Sequence, residues 1–297
     1  MRLKKAAKCC AASSAAATEL TPARALILAA ALALSSGPWS TTAAATPGLP
    51  QPENRFPGIA SAYAVAVDGR LIWGDGIDTP RPPASLAKLL SAIVLLDSDW
   101  DPAARIKVSA RAASIEGTKA GLRAGESLTA EDALTALLLR SANDACIALV
   151  EHEGADLATF AKRMNARAAA LGMRDSNFVN PCGLDAPGQQ TTARDLLRLG
   201  GAALAQPQIA RRTVLARARI TTLSGRQIHF TNNNALIGRR AGVLGLKSGF
   251  TSKAGKCVIA VAVRNGHHAW VVLLDSPNRW WVAAGLLEEA IGPGAEP

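Results

Sequence analysis

Hydrophobic and polar positions along the chain change period twice. Ser61 to Val67 (SAYAVAV) alternates, Asp68-Gly69 marks a tight turn and Arg70 to Trp73 returns, which predicts a β-hairpin. From Ala84 to Leu96 the period lengthens, with Leu86, Leu89, Leu90, Ile93 and Leu96 at helical spacings of three and four. Arg105 to Val108 fits a short strand, and Thr118 to Gly125 a glycine-punctuated loop. Thr129-Ala130-Glu131-Asp132 opens a helix with a capping-box pattern that ends at Arg140. Further helices are predicted at about Ala145 to Glu151, at Leu157 to Leu171, and from Thr192 onward. After Ile220 the alternation returns in Arg226 to Thr231, Leu244 to Lys247, and a hairpin of Val258 to Arg264 and Ala269 to Leu274 around Asn265-Gly266. Trp281 to Ala290 reads as a closing helix. Strands at both chain ends around a helical middle predict an α+β fold. One antiparallel sheet is assembled from distant segments, an all-helical subdomain is inserted, and a cleft lies between the two lobes.

The first 45 of the 297 residues depart from this pattern. Arg2, Lys4, Lys5, Lys8 and Arg24 precede an apolar run from Ala25 to Leu34, Gly37-Pro38 breaks it, and Ala43-Ala44-Ala45 offers a small-residue cleavage site. That order predicts a secretory signal peptide over residues 1–45, too short in its apolar part for a spanning helix. Residues 46–56 then read as a flexible leader, 57–291 as the folded domain and 292–297 as a tail. Removing the leader lowers the net charge from +10 to +6, leaving 28 basic against 22 acidic residues. The excess suits an exported protein near an anionic envelope polymer. Aromatics make up only 4 %, with no groove-reading motif, so a nucleic-acid partner is not expected. Cys146, Cys182 and Cys257 remain after cleavage, and in an oxidising compartment they permit one disulfide at most, of unspecified pairing.

Candidate chemistry begins at Pro82-Pro83-Ala84-Ser85-Leu86-Ala87-Lys88. Ser85 falls in the first turn of a helix, and Lys88, three residues on, shares its face. A hydroxyl nucleophile needs a neighbouring base, and a desolvated amine can be one. Ser141-Ala142-Asn143 lies in a turn between helices, and Lys247-Ser248-Gly249 at the end of a strand. In this order and these contexts, the three motifs match the set carried by active-site-serine penicillin-recognising enzymes.

The flanking sequence is similar to the D-alanyl-D-alanine carboxypeptidases, the low-molecular-mass penicillin-binding proteins related to class A β-lactamases. The resemblance rests on Pro83-Ala84-Ser85, Gly121 to Glu126, Ser141 to Ala145, Asn180 to Asp185 and Gly245 to Thr251, and it covers about residues 57 to 290. It implies removal of the terminal D-Ala from peptidoglycan stem peptides through an acyl-enzyme on Ser85, and acylation by β-lactams. It implies no cofactor and no metal. Lys88 would take the Ser85 proton, Ser141 would relay one towards the leaving amine, and Asn143 would orient Lys88 and hydrogen-bond the substrate amide. Lys247 and Ser248 would hold the terminal carboxylate, Gly249 would let the strand approach the substrate, and the backbone N–H groups of Ser85 and Phe250 would form the oxyanion hole. Ser248 stands where relatives often carry Thr, and Cys182 where a histidine is common. Many relatives continue into a second domain and an amphipathic anchor; with the sequence ending at Pro297, a soluble enzyme of the periplasm or cell envelope is expected, without a stable membrane anchor after signal cleavage.

Rival readings are weaker on the residues. A Ser-His-Asp hydrolase needs a placed histidine, and His152, His229, His267 and His268 accompany no nucleophile elbow. His267 and His268 alternate on a strand, so they are poor joint metal ligands and read as a solvated turn. Trp280-Trp281 reads as packing of the last helix on the sheet. A class A-like β-lactamase uses a loop glutamate, where Asn177 to Asp185 offers only Asp185. A catalytically silent peptidoglycan-binding protein has no chemical need for Ser85, Lys88, Ser141, Asn143 and Lys247 together. Carboxypeptidase and endopeptidase cutting are not separated by sequence.

Overall fold

The computed structural model describes residues 51–292; the expected signal peptide, the first part of the expected leader and residues 293–297 lie outside them. Strand β1 (Ala62–Val67) and β2 (Arg70–Asp75) form the expected hairpin, with Asp68 and Gly69 both at positive φ as a two-residue turn requires. Ser85 opens not on the α-helix itself but in a single 3₁₀ turn, Ala84–Leu86, that leads into α1 (Ala87–Leu96). The helical middle holds β3 (Arg105–Lys107), α2 (Ala110–Ser114), β4 (Ser127–Thr129) and α3 (Ala130–Thr135), which runs on as a π-helical turn, Ala136–Arg140. Next come α4 (Asn143–His152), two residues earlier than its apolar pattern indicates, then α5 (Leu157–Ala170), α6 (Ala193–Leu204) and α7 (Pro207–Thr213). The chain closes with β5 (Arg217–Thr221), β6 (Gln227–Thr231), β7 (Val243–Thr251), β8 (Gly255–Arg264), β9 (His267–Leu274) and α8 (Arg279–Ile291).

The main sheet is antiparallel in the order β2-β1-β9-β8-β7, so its first two strands and last three come from opposite ends of the described chain. β6 is not part of it: it pairs with β5 in a separate hairpin. Both sheet faces are covered. On β8, Cys257, Ile259 and Val261 face the helical lobe, while Val258, Ala260 and Ala262 face the layer completed by Leu286, Leu287 and Ile291 of α8. Two buried faces make β8 an uninterrupted apolar run from Cys257 to Val263, where an alternating strand was expected. α1 passes through the larger core with every residue from Ala87 to Leu95 buried. It therefore carries Lys88 into the interior.

Residues 51–56, expected to be part of a flexible leader, are mostly exposed but make specific contacts with the domain. Glu53 bridges to Trp73, Phe56 meets the Trp73 ring edge-on at 5.3 Å, and the Phe56 N–H donates to the Tyr63 hydroxyl at 3.1 Å. Composition had marked them as leader because Pro and polar residues dominate there, yet one aromatic contact and one backbone bridge anchor them. Trp280 packs on α8's side of the sheet, but Trp281, expected to do the same, is 78 % exposed. No helix among the described residues is long and apolar enough to cross a membrane.

Candidate active site

Three segments meet at the mouth between sheet and helical lobe. The first is the Ser85 turn. Lys88, fully buried, donates from Nζ to Ser85 Oγ at 3.1 Å and to the backbone carbonyl of Cys182 at 2.5 Å. One turn along α1, Ser91 Oγ donates to the Pro181 carbonyl at 2.6 Å. The 180–183 loop thus hangs on α1 by two consecutive carbonyls. Asn180 tightens it by accepting from the N–H groups of Gly183 and Leu184 at 2.8 and 3.0 Å. Gly183 sits at φ +76, and a Cβ there would lie 1.8 Å from the Ala84 carbonyl oxygen, so only glycine lets this loop lie against the Ser85 turn.

The second segment is the turn between α3 and α4. Ser141 adopts a left-handed conformation, φ 64, at the end of the π-helical turn. Asn143 heads α4: its backbone N–H donates to the Thr118 carbonyl at 2.7 Å and its Nδ2 to the Glu116 carbonyl at 2.7 Å. Its buried Oδ1 has no protein partner. Asp144, fully buried beside it, accepts from the N–H groups of Ala120, Gly121 and Leu122 at 2.9 to 3.0 Å. The Gly121 to Glu126 loop of the sequence pattern is therefore suspended from the carboxylate next to the second motif.

The third segment is β7, the edge strand. Lys247, Ser248 and Gly249 lie in its middle, not at its end, since the strand runs on through Thr251. Lys247 is 2 % exposed; its Nζ donates to Ser141 Oγ at 2.7 Å and to the Ser248 carbonyl at 3.0 Å. Burial, then the neighbouring charges of Lys88 and Arg279, push its pKa well below the ordinary lysine value. A Cβ on Gly249 would stand 2.7 Å from the Ser85 backbone nitrogen and 2.8 Å from the Ala84 Cβ. The close approach that glycine permits is thus to the Ser85 turn itself. Arg279 from α8 braces the strand by donating to the Gly249 carbonyl at 2.6 Å.

A cavity of about 520 Å³ lies over these groups, lined by Ser85, Asn143, Lys119, Arg140, Phe250 and Thr251 among others. A second cavity of about 500 Å³ adjoins it across Lys119 and Arg140. Ser85 pairs directly with Lys88, and Ser141 with Lys247, while Asn143 and Phe250 stand in the cavity wall. Ser248 Oγ reaches only the Asn233 carbonyl, at 3.5 Å. Asn143 makes no bond to Lys88, contrary to expectation; the Cys182 carbonyl fills that place. A backbone carbonyl has no sequence signature, so pattern reading could not find it. Asp144 was within reach, as a carboxylate in a helix's first turn beside a glycine-rich loop.

The comparisons with known proteins bear on this arrangement. The profile of the D-alanyl-D-alanine carboxypeptidases (peptidase family S11) matches residues 51–278. The chain belongs to that family. It is 33 % identical over 251 residues to a D-alanyl-D-alanine carboxypeptidase of Mycobacterium tuberculosis, spanning 80 % of this chain and 85 % of that one. It is equally 33 % identical to a D-alanyl-D-alanine endopeptidase of Escherichia coli, over 80 % of this chain and 77 % of that one. The fold matches the crystal structure of the Streptomyces K15 DD-transpeptidase at a TM-score of 0.73, with 23 % identity, over 81 % of this chain and 98 % of that one. The family member described here is a serine-type DD-peptidase with an α+β penicillin-binding-protein fold.

Replacing Asp144 by Ala leaves four backbone donors, those of Ala120, Gly121, Leu122 and Ala145, without this acceptor and is expected to cost about 3 kcal/mol of unfolding free energy. Urea denaturation measures it; a loss below ~0.5 kcal/mol would show that the loop does not depend on this carboxylate.

Proposed function

We propose that this protein removes the C-terminal D-Ala from peptidoglycan stem peptides with Ser85 as nucleophile, in the cell envelope after export. The observation that carries the reading is the Lys88 Nζ to Ser85 Oγ contact of 3.1 Å inside a buried pocket, opposite the Lys247 to Ser141 contact of 2.7 Å. A lysine amine here can accept the Ser85 proton through its lone pair while still donating a hydrogen to the Cys182 carbonyl.

Ser85 Oγ attacks the carbonyl carbon of the penultimate D-Ala, and the displaced proton passes to Lys88. The developing oxyanion is received by the N–H groups of Ser85 and of Phe250, the latter on the exposed edge of β7. Ser141, hydrogen-bonded to Lys247, delivers a proton to the departing amine of the terminal D-Ala. The partnerless Oδ1 of Asn143 accepts from a substrate amide N–H. Water then takes the place of the leaving amine, hydrolyses the Ser85 ester and returns the enzyme. Lys247 and Ser248 hold the terminal carboxylate of the incoming peptide, and that negative charge offsets the burial cost of the Lys247 ammonium. The loop of Asn180 to Asp185 carries no glutamate, and Asp185 is engaged by the Thr251 hydroxyl at 2.6 Å. Water activation of the class A β-lactamase kind therefore has no carboxylate free in that loop.

Incubation with benzylpenicillin followed by intact mass and peptide mapping tests the nucleophile. The expected result is a persistent adduct on Ser85 that the Ser85→Ala variant lacks. Rapid turnover of the drug without an adduct would reassign the chain to β-lactam hydrolysis, and no reaction would sink the nucleophile.

The lowered pKa of Lys247 gives a second expectation, with a definite sign. The ammonium that holds a carboxylate is present below that pKa and is lost as pH rises through it, before an ordinary lysine would lose its proton at 10.5. kcat/KM for carboxylate-terminated peptides should therefore fall on the alkaline side, while peptides with an amidated terminus lack this limb. Lys247→Ala should lower kcat/KM for the carboxylate peptide roughly 30-fold or more. Identical pH profiles for both peptides would remove Lys247 from carboxylate recognition.

A further inference from the structure

Cys182 and Cys146 remain unexplained by the proposed chemistry. Cys182 sits between Pro181 and Gly183 in the loop that supplies Lys88 with its acceptor carbonyl. Cys146 lies on α4, one turn after Asn143. The two residues are 36 apart in sequence, both are buried, and their Sγ atoms face each other 2.6 Å apart with no third residue between them. Their environment is not a metal site: no cluster of three ligand-type side chains occurs among the described residues. Cys257, the remaining cysteine, is placed differently. It lies on β8, its thiol donates to the Ala254 carbonyl at 3.3 Å, and burial pushes its pKa up to about 11.

We propose that Cys146 and Cys182 form the single internal disulfide of this protein, a covalent link that pins the loop carrying Lys88's acceptor carbonyl to the helix carrying Asn143. Three candidate pairings exist among the cysteines of the domain, and geometry selects one. The link joins two of the three segments that make up the candidate site, and its position accounts for a cysteine where relatives often carry histidine. In its absence the 180–183 loop depends on hydrogen bonds alone, two of them to α1. The physiological part rests on the export reading, because thiols stay reduced in a cytosolic poise. The chemistry is thiol–disulfide exchange. One cysteine thiolate attacks oxidised glutathione and releases one reduced glutathione; the second thiolate attacks the resulting mixed disulfide and releases the other. Two protein thiols are thereby oxidised to one disulfide and one glutathione disulfide is reduced to two thiols.

Both thiols are buried, so exchange is expected during folding, before burial. The full chain is unfolded with reductant and refolded in parallel, in oxidised/reduced glutathione buffer and in reductant. Each sample is then unfolded with an alkylating agent and mapped by protease digestion. The expected result is a joined Cys146–Cys182 peptide in the oxidised sample, both residues separately alkylated in the reduced one, and Cys257 alkylated in both. The oxidised form should also unfold ~5–10 °C higher. The Cys257→Ser chain, which leaves the pair intact, should give the same joined peptide. Free Cys146 and Cys182 after oxidising refolding, or a link mapped to Cys257, would overturn the assignment. Mapping of chain taken directly from producing cells separates the two premises. A reduced pair there, with a link that forms on refolding, upholds the site and contradicts export into an oxidising compartment.

Discussion

Lys88 has no exposed surface, and an amine in that position must find acceptors inside the protein or pay the full cost of desolvation. It finds two, the Ser85 hydroxyl and the Cys182 carbonyl, and much of the surrounding architecture follows from providing them. The apolar helix α1 carries the lysine inward. The 180–183 loop has to present a carbonyl at the right place, so it is tied by Ser91 and by the Asn180 side chain, and it needs glycine at 183 to fit beneath Ala84. The edge strand β7 then lies against the same turn only because residue 249 has no side chain. Ser85, Lys88 and β7 are locked together by two buried polar contacts and two absent methyl groups.

A second buried lysine complicates the electrostatics in a useful way. Lys247 feels burial, Lys88 and Arg279, all of which disfavour its charge. The Lys247 amine is met by the Ser141 hydroxyl and the Ser248 carbonyl and by no carboxylate among the described residues, so its charge is poorly compensated. On the proposed reading, the carboxylate terminus of a bound peptide supplies the missing compensation. The cavity rim is of mixed charge, with Lys119 and Arg140 beside Glu116 and Asp185.

Much of the architecture was legible in the sequence because its signals are periodic or chemical. The alternation of Ser61 to Val67 and of Ala269 to Leu274 marked strands β1 and β9, and the spacing of Leu86 to Leu96 marked the helix behind Ser85. The sequence motifs named the side chains that the fold gathers. What escaped was everything carried by backbone. The Cys182 carbonyl in place of Asn143 as Lys88's partner, the 3₁₀ turn under Ser85 and the hairpin of β5 and β6 outside the main sheet leave no residue-type signature. Short elements such as α2, α7 and β4 were missed because five to seven helical residues, or three strand residues, span too little of a period to register. Even the contacts that Glu53 and Phe56 make with Trp73 were hidden by the proline-rich composition around them.

The central claim is that Ser85, activated by Lys88, cleaves a D-Ala-D-Ala bond. Its most direct measurement is the release of free D-alanine from an N-acylated peptide ending in D-Ala-D-Ala, followed beside the same peptide ending in L-Ala and beside the Ser85→Ala protein. The account predicts release from the D-terminated peptide by the unaltered chain only. Release that survives the loss of the Ser85 hydroxyl, or no release by the unaltered chain, would contradict it.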